Sequence, residues 1–217
     1  MDDSIQEEDE VVADLRKDIK LKKVYLTFDD GPAAYTTKVL NTLAKYDAKA
    51  TFFMVGNRCK SYKSACKKVA NSSNQIGCHT YSHAWLNGLD AKGIQRQMKK
   101  GKKAIKNNSG TVAAICRTPG GQNTKLIREN VNMPIIAWSV DTRDWEHHNA
   151  KKTLSAVKKG AKNGAIVLMH DLHKTTADAV PSICKYLKKQ GYQMVTIEEM
   201  ALLKGVKLKA GKVYYNF

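Results

Sequence analysis

Asp29 and Asp30 stand side by side at the end of a short run of β-branched and aromatic residues, Val24–Phe28, and are followed by Gly31 and Pro32. His79 and His83 lie four residues apart at the end of another such run. Two imidazoles and one carboxylate leave coordination positions open on a divalent cation, the pattern of a catalytic metal site rather than a structural one. The histidine spacing alone is a weak signal, because paired histidines are commonly polar surface or hydrogen-bonded core residues. The imidazoles reach a common point if the chain turns helically between them. Asp-Asp-Gly-Pro is also good turn chemistry. Two adjacent carboxylates repel, however, unless a cation takes one of them. With a cation on Asp30, Asp29 stays ionised near neutral pH and can take a proton from a water that the cation activates.

These residues gain meaning from the elements that carry them. Seven apolar runs, Val24–Phe28, Ala50–Val55, Gln75–His79, Ala113–Arg117, Pro134–Val140, Ala165–His170 and Tyr192–Ile197, read as strands. Helical patterns separate or follow them at Thr36–Tyr46, Tyr62–Asn71, Ala91–Lys106, Thr124–Asn130, Ala150–Lys162, Thr176–Gln190 and Ile197–Lys204. The alternation implies an α/β fold with a parallel sheet covered by helices. A distorted (β/α) barrel and an open doubly wound sheet both fit, and both place ligands at the carboxyl ends of the strands. Arg117 ends the fourth run, Asp141 and Asp144 follow the fifth, and His170 ends the sixth. All of them therefore converge with Asp29, Asp30, His79 and His83 on one rim. No Gly-rich phosphate fingerprint follows the first strand, which argues against nucleotide binding.

Composition sets the outer bounds. The chain has 217 residues and a net charge of +17. Residues 1–20 hold eight acids and three bases, and the rest holds 34 bases against 12 acids, four of which are Asp29, Asp30, Asp141 and Asp144. Residues 1–21 read as an acidic, partly disordered leader or linker, and 22–217 as the folded domain. A basic surface attracts polyanions such as nucleic acid, anionic lipid or the phosphate-bearing polymers of a bacterial wall. The bases are nearly all lysine, with six arginines, which argues against sequence-specific nucleic-acid binding. Runs such as Lys99–Lys106 read as solvated outer helix faces. No apolar run is long enough to span a membrane, and the acidic start does not read as a signal peptide. Five cysteines leave at least one unpaired. Cys59 and Cys66, if on one helix, are about 10 Å apart and cannot bridge. Cys78 and Cys116 each precede a site residue on neighbouring strands, either as a disulfide or as two small buried thiols.

Thr27-Phe28-Asp29-Asp30-Gly31, His79-Thr80-Tyr81-Ser82-His83, Arg117-Thr118-Pro119-Gly120, Asp141-Thr142-Arg143-Asp144-Trp145 and Leu168-Met169-His170 together resemble the five ordered motifs of the NodB-like polysaccharide deacetylases, over roughly residues 22–205. The resemblance implies a single-domain, distorted (β/α)7 TIM-like barrel and a divalent metal, usually Zn2+, with Co2+ or Ni2+ as alternatives. It implies Asp30, His79 and His83 as ligands, Asp29 as catalytic base, Arg117 holding that base, and His170 as general acid tuned by Asp144. Trp145 and Leu168 would wall the acetyl pocket, and the N–H of Gly120 would face the oxyanion. Gly120 stands where many members carry an aromatic residue, so the groove is expected to be more open there.

The activity so implied is hydrolysis of the N-acetyl amide of N-acetylglucosamine in a polysaccharide, peptidoglycan before chitin. The setting would be extracellular or cell-wall-associated, in a bacterium, by a monomer whose export segment is absent from this chain. The rivals are an O-acetyl esterase acting on acetylxylan-like polymers and a non-catalytic glycan-binding relative. A two-His-one-carboxylate iron oxygenase shares the ligand set but does not require Arg117, Asp144 and His170 on the same rim. Trp85 reads equally as a sugar platform or as core, Trp138 as core, Asp141 as a partner within its loop, and His147, His148 and His173 as solvated.

Overall fold

The computed structural model describes residues 21–217, so the expected leader lies, apart from Leu21, outside the described residues. In chain order the elements are β1 (Lys22–Asp29), α1 (Thr36–Lys45), β2 (Ala50–Met54), α2 (Gly56–Ser61), α3 (Lys63–Ala70), β3 (Gln75–Cys78), α4 (Ala91–Ser109), α5 (Lys125–Asn130), β4 (Ile135–Ile136), β5 (Val140–Asp141), α6 (Asp144–His147), α7 (Ala150–Gly160), β6 (Ala165–His170), α8 (Lys174–Lys189), β7 (Tyr192–Met194), α9 (Ile197–Leu203) and β8 (Val213–Tyr214).

β1 is buried on both faces from Lys23 onward, as the continuous apolar run of a central parallel strand requires. β6 runs along one edge; β2 flanks the carboxyl half of the other edge and β7 its start. β3 pairs with β2 and β5 with β6, all parallel. Cys116 bridges Cys78 on one side and Ile135 on the other, β4 pairs with β8, and Asn216 meets Ala165 at the start of β6. The ring therefore closes. The distorted barrel, not the open sheet, is the architecture adopted.

Alternation along the strands separates two cores. Val24, Leu26 and Phe28 face outward to the helices with Val39, Leu43, Ile94, Val180 and Ile183. Tyr25 faces the interior with Phe53, Ile115, Ile136 and Ile166, and Ile197, Met200 and Tyr214 join them. Register puts Thr27 and Asp29 in the same inward row, beside Leu168 and His170 of β6.

α4 shows how local chemistry fixes an element. The Asp90 carboxylate accepts from the Gly93 N–H at the start, and Gly110 in the left-handed region (φ 87°) ends the helix. Loss of that cap costs about 1 kcal/mol. Ile94, Met98, Gly101 and Ile105 form its buried stripe. Gly101 is required: a Cβ there would lie 2.7 Å from the Thr80 carbonyl oxygen. The close approach lets Gln97 Oε1 accept from the N–H groups of Tyr81 and Ser82 at 3.1 and 3.2 Å.

Several expected elements differ. The strand expected over Ala113–Arg117 is reduced to the Cys116 bridge, and Pro134–Val140 divides into β4 and β5 at Ala137–Ser139. β8 and α2 were not anticipated, because two residues and six residues carry little periodic signal. The break between α2 and α3 at Tyr62 also overturns the geometry assigned to Cys59 and Cys66. Their sulfurs converge on Met54 Sδ at 3.8 and 3.7 Å. All five cysteines are buried free thiols, Cys78 and Cys116 included.

Candidate metal centre and active site

The inward row of β1 delivers Asp29 to the carboxyl end of the barrel. At Asp30 the backbone turns left-handed (φ 67°), which breaks the alternation and brings the second carboxylate to the same side. His79 follows β3 directly. The turn after it is not helical: Thr80 (φ 65°) and His83 (φ 57°) are both left-handed, an unusual backbone for such residues that clusters at functional sites. α4 holds this turn through Gln97. The Gly56 and Asn57 N–H groups hold the Thr80 and Tyr81 carbonyls from the other side at 3.0 and 2.8 Å.

The result is a three-sided nest. Asp30 Oδ1 lies 3.3 Å from His79 Nε2 and 3.1 Å from His83 Nε2, and one ligand atom from each residue falls within 4.8 Å of the others. His79 Nδ1 sits 2.7 Å from the Arg117 carbonyl oxygen. Nδ1 must therefore carry a proton, so that Nε2, which points at Asp30, is the nitrogen that can present a lone pair to a cation. Asp30 Oδ1 is buried and accepts no hydrogen bond. Two imidazole nitrogens crowded around an unsatisfied buried carboxylate oxygen make a three-donor set that fits a divalent cation. Burial opposes ionisation of Asp30, but the two imidazoles hold its carboxyl far below the usual range. Asp30 in turn raises His83, against burial. A cavity of about 300 Å3 lined by Asp30, His83, Ser82, Asn57 and Arg58 opens beside the nest.

Asp29 is buried beside it, with Oδ2 3.8 Å from His79 Nε2. Arg117 Nη1 donates to Asp29 Oδ1 and to Thr27 Oγ1, both at 2.8 Å. Nε and Nη2 donate to the carbonyls of Ile136 and Ala137, also at 2.8 Å. The guanidinium lies over the Phe53 ring at 4.3 Å, with the Trp138 ring 5.6 Å away. Arg117 is fully buried, and a buried charge persists only when so satisfied. Asp29 Oδ1 is thereby pinned, and Oδ2 faces the nest.

On the neighbouring strand β6, His170 Nδ1 lies 2.8 Å from Asp144 Oδ1, and Asp144 Oδ2 accepts from the His170 N–H at 2.7 Å and the Thr176 hydroxyl at 2.6 Å. Burial disfavours the imidazolium, but the Asp144 contact and charge outweigh it, with Asp29 and Asp30 adding, and raise His170 to about 9. Asp144 is held below its ordinary value: burial opposes this, and His170 and Thr176 overcome it. The structure thus gathers Asp29, Asp30, His79, His83, Arg117, Asp144 and His170 on one rim. Leu168 is buried one inward step below His170, Trp145 is exposed at the start of α6, and Gly120 sits in a one-turn 3-10 helix, Pro119–Gly121.

Some expectations need amending. The space over Gly120 is not open: a Cβ there would lie 2.8 Å from the Trp85 ring. Trp138 is half-buried and serves Arg117 as well as the core. His147 and His173 are half-buried; His147 Nε2 lies 3.0 Å from the Thr142 carbonyl oxygen, and His173 packs on the exposed His148 with ring centroids 4.6 Å apart. Asp141 does act within its loop, accepting from the Arg143 N–H at 2.8 Å. Thr27, Thr176 and Asp171 were missed. Asp171 is fully buried under Gly31, bonded to the Thr36 hydroxyl, with burial raising it to about 7. Its signal was present, a second polar residue directly after His170 in an otherwise apolar run.

Comparison with known proteins places this arrangement. The chain is 40% identical over 196 residues to the peptidoglycan-N-acetylglucosamine deacetylase PgdA of Listeria monocytogenes, a match covering 90% of this chain and 41% of that protein. The chain thus spans about two-fifths of that relative's length. The structure of peptidoglycan deacetylase PdaC from Bacillus subtilis superposes with a TM-score of 0.83 at 34% identity, covering 86% of this chain and 93% of that one. A family 4 acetyl xylan esterase from Clostridium thermocellum, in complex with a cobalt ion, gives 0.85 at 31% identity over 90% of this chain and 98% of that one. The polysaccharide deacetylase profile matches residues 16–133, more than half of the sequence, and the chain belongs to the polysaccharide deacetylase family.

Proposed function

We propose that residues 22–217 act as one metal-dependent hydrolase unit that removes N-acetyl groups from N-acetylglucosamine residues of a polysaccharide, peptidoglycan before chitin. The observation that carries this reading is a proton acceptor and a proton donor held on adjacent strands beside one ligand nest: Asp29 pinned by Arg117, and His170 pinned by Asp144. Asp30, His79 and His83 would hold the cation, Zn2+ with Co2+ or Ni2+ as substitutes. When bound, it supplies Lewis-acid polarisation of the acetyl carbonyl and activates the attacking water.

The remaining steps belong to the chain itself. Asp29 Oδ2, the oxygen Arg117 leaves free, takes the proton from the attacking water. The Gly120 N–H, in the first turn of its short helix and so without an intrahelical acceptor, donates to the developing oxyanion. His170 enters as imidazolium, its Nδ1–H held by Asp144, and gives its Nε2 proton to the nitrogen as the C–N bond breaks. Acetate and a free amine result. Leu168 and Trp145 bound the space for the acetyl methyl and exclude water from it.

The N-acetylglucosamine reading draws on the relatives named for peptidoglycan, and the lysine-rich shell suits an anionic wall. The site of action would then be outside a bacterial cell or in its wall, with the protein acting as a monomer; no helix among the described residues is long and apolar enough to cross a membrane. The acetyl xylan esterase likeness favours a second reading, removal of O-acetyl groups, because the same groups serve an ester whose alcohol leaves more readily than an amine. Acetate release from peptidoglycan, chitin oligomers and acetylxylan, measured side by side with chelator controls, separates the two. Release from acetylxylan alone overturns the amide reading. Activity that survives exhaustive chelation overturns the metal.

A further inference from the structure

We infer that Trp85 is a substrate-binding residue, a fixed indole platform that receives the pyranose ring next to the one being deacetylated; this rests on the glycan reading above. A single exposed apolar side chain is ordinary on a protein surface, so exposure alone is no argument. Three features set Trp85 apart. It is 62% exposed although it lies two residues after His83, on the rim that carries the ligand nest. Its six-membered ring stands where a Cβ of Gly120 would be, 2.8 Å from that position, so it borders the backbone assigned to the oxyanion. And its backbone is anchored directly after it. Leu86, the next residue, is fully buried, and the Asn87 N–H donates to Gln122 Oε1 at 3.1 Å, tying the Trp85 segment to the loop after Gly121.

Gly120 and Gly121 are both left-handed (φ 61° and 68°) and both lie under indoles, Trp85 and Trp138 respectively. Absence of a side chain at position 120 is what lets the Trp85 ring settle there. An exposed aromatic held in place loses little rotamer freedom on binding and offers a broad apolar face with a polar N–H edge. The axial C–H face of a pyranose matches that surface. Trp145, 49% exposed, stands on the other side of the rim after β5, so a polymer lying across the nest meets Trp85 only when it extends beyond the reacting sugar.

The consequence is a dependence on chain length that Trp85 supplies. Acetate release from the N-acetylglucosamine monosaccharide and tetramer is compared for wild type, Trp85→Ala and Trp85→Phe, with bound metal per chain and far-UV circular dichroism checked for each. Trp85→Ala should lower kcat/KM for the tetramer about tenfold, chiefly through KM, and that for the monosaccharide less than twofold. Trp85→Phe should recover most of the loss. Calorimetric binding of the tetramer, which needs no turnover, should weaken by the same factor in Trp85→Ala. A tetramer-to-monosaccharide ratio and a tetramer affinity equal to wild type overturn the assignment. Wild type that binds the tetramer but releases no acetate sinks the hydrolase reading, and the binding arm still decides Trp85.

Discussion

His79 and His170 are the same residue type at the carboxyl ends of two strands of one barrel, yet their surroundings prepare them for opposite tasks. The Nδ1–H of His79 is met by a neutral acceptor, the Arg117 carbonyl oxygen at 2.7 Å. That orients the ring so that Nε2 is the nitrogen left to a cation. The Nδ1–H of His170 is met by a carboxylate, Asp144 at 2.8 Å, and its pKa rises to about 9 despite burial. One imidazole is built to give a lone pair and the other to give a proton. The choice is made by the atom on the far side of the ring, not by the ring itself.

Removing the lone pair should do the most damage. His79→Ala takes away one of three donors and frees the Arg117 carbonyl, so bound metal should fall from about one per chain to none. Activity should disappear with it, as read by metal analysis and acetate release on the same sample. Retained stoichiometric metal in this variant breaks the comparison at its first half. Asp29→Asn comes next. The amide keeps the shape and can still accept from Arg117, but it cannot take a proton. Turnover should fall on the order of 10^3-fold, with metal content and glycan affinity kept. An Asp29→Asn enzyme with near-wild-type turnover removes Asp29 as base.

The two histidines differ as much in how readable they are. The strand ends, the Asp-Asp pair and the polar residues placed after apolar runs are visible because alternation and position at a strand terminus are local properties. Hence the parallel sheet and its rim could be read from the chain, whereas the barrel was implied only by the family resemblance. What surrounds each ring is not local. Arg117 lies 38 residues from His79, and Thr176 reaches Asp144 from α8 at a separation of 32. The Trp85–Gly120 contact joins two turns that nothing in either segment announces. Cys59 and Cys66 teach the same lesson at short range: a single break at Tyr62 turned an assumed 10 Å gap into two thiols on one methionine. β4, β5 and β8 have two residues each, too few for any periodicity, so the way the ring closes was not legible.

The second half of the comparison is tested at His170. His170→Ala should keep metal and lower turnover by about 10^2- to 10^3-fold on an amide, and less on an acetate ester, whose alcohol needs less help to leave. Equal losses on amide and ester, or no loss on the amide, remove His170 as the acid.

Asp144→Asn is the mildest and the sharpest test, because it alters only the acceptor behind the ring. In wild type the imidazolium persists to about pH 9, so the alkaline limb of kcat/KM should fall there, or lower once a cation offsets the charges of Asp29 and Asp30. In the variant burial still disfavours the charged ring and the carboxylate no longer opposes it. The limb should then move down toward or below the ordinary 6.5, with modest loss of activity at pH 6. Stability follows the same sign. A folded value above the unfolded one means that protonated His170 stabilises wild type fully below pH 6.5, and that the contribution fades as pH rises through about 9. The melting-temperature gap between wild type and Asp144→Asn should therefore be wider at pH 6 than at pH 10. A gap independent of pH, together with an unmoved alkaline limb, means that Asp144 only packs against His170 and does not set its charge.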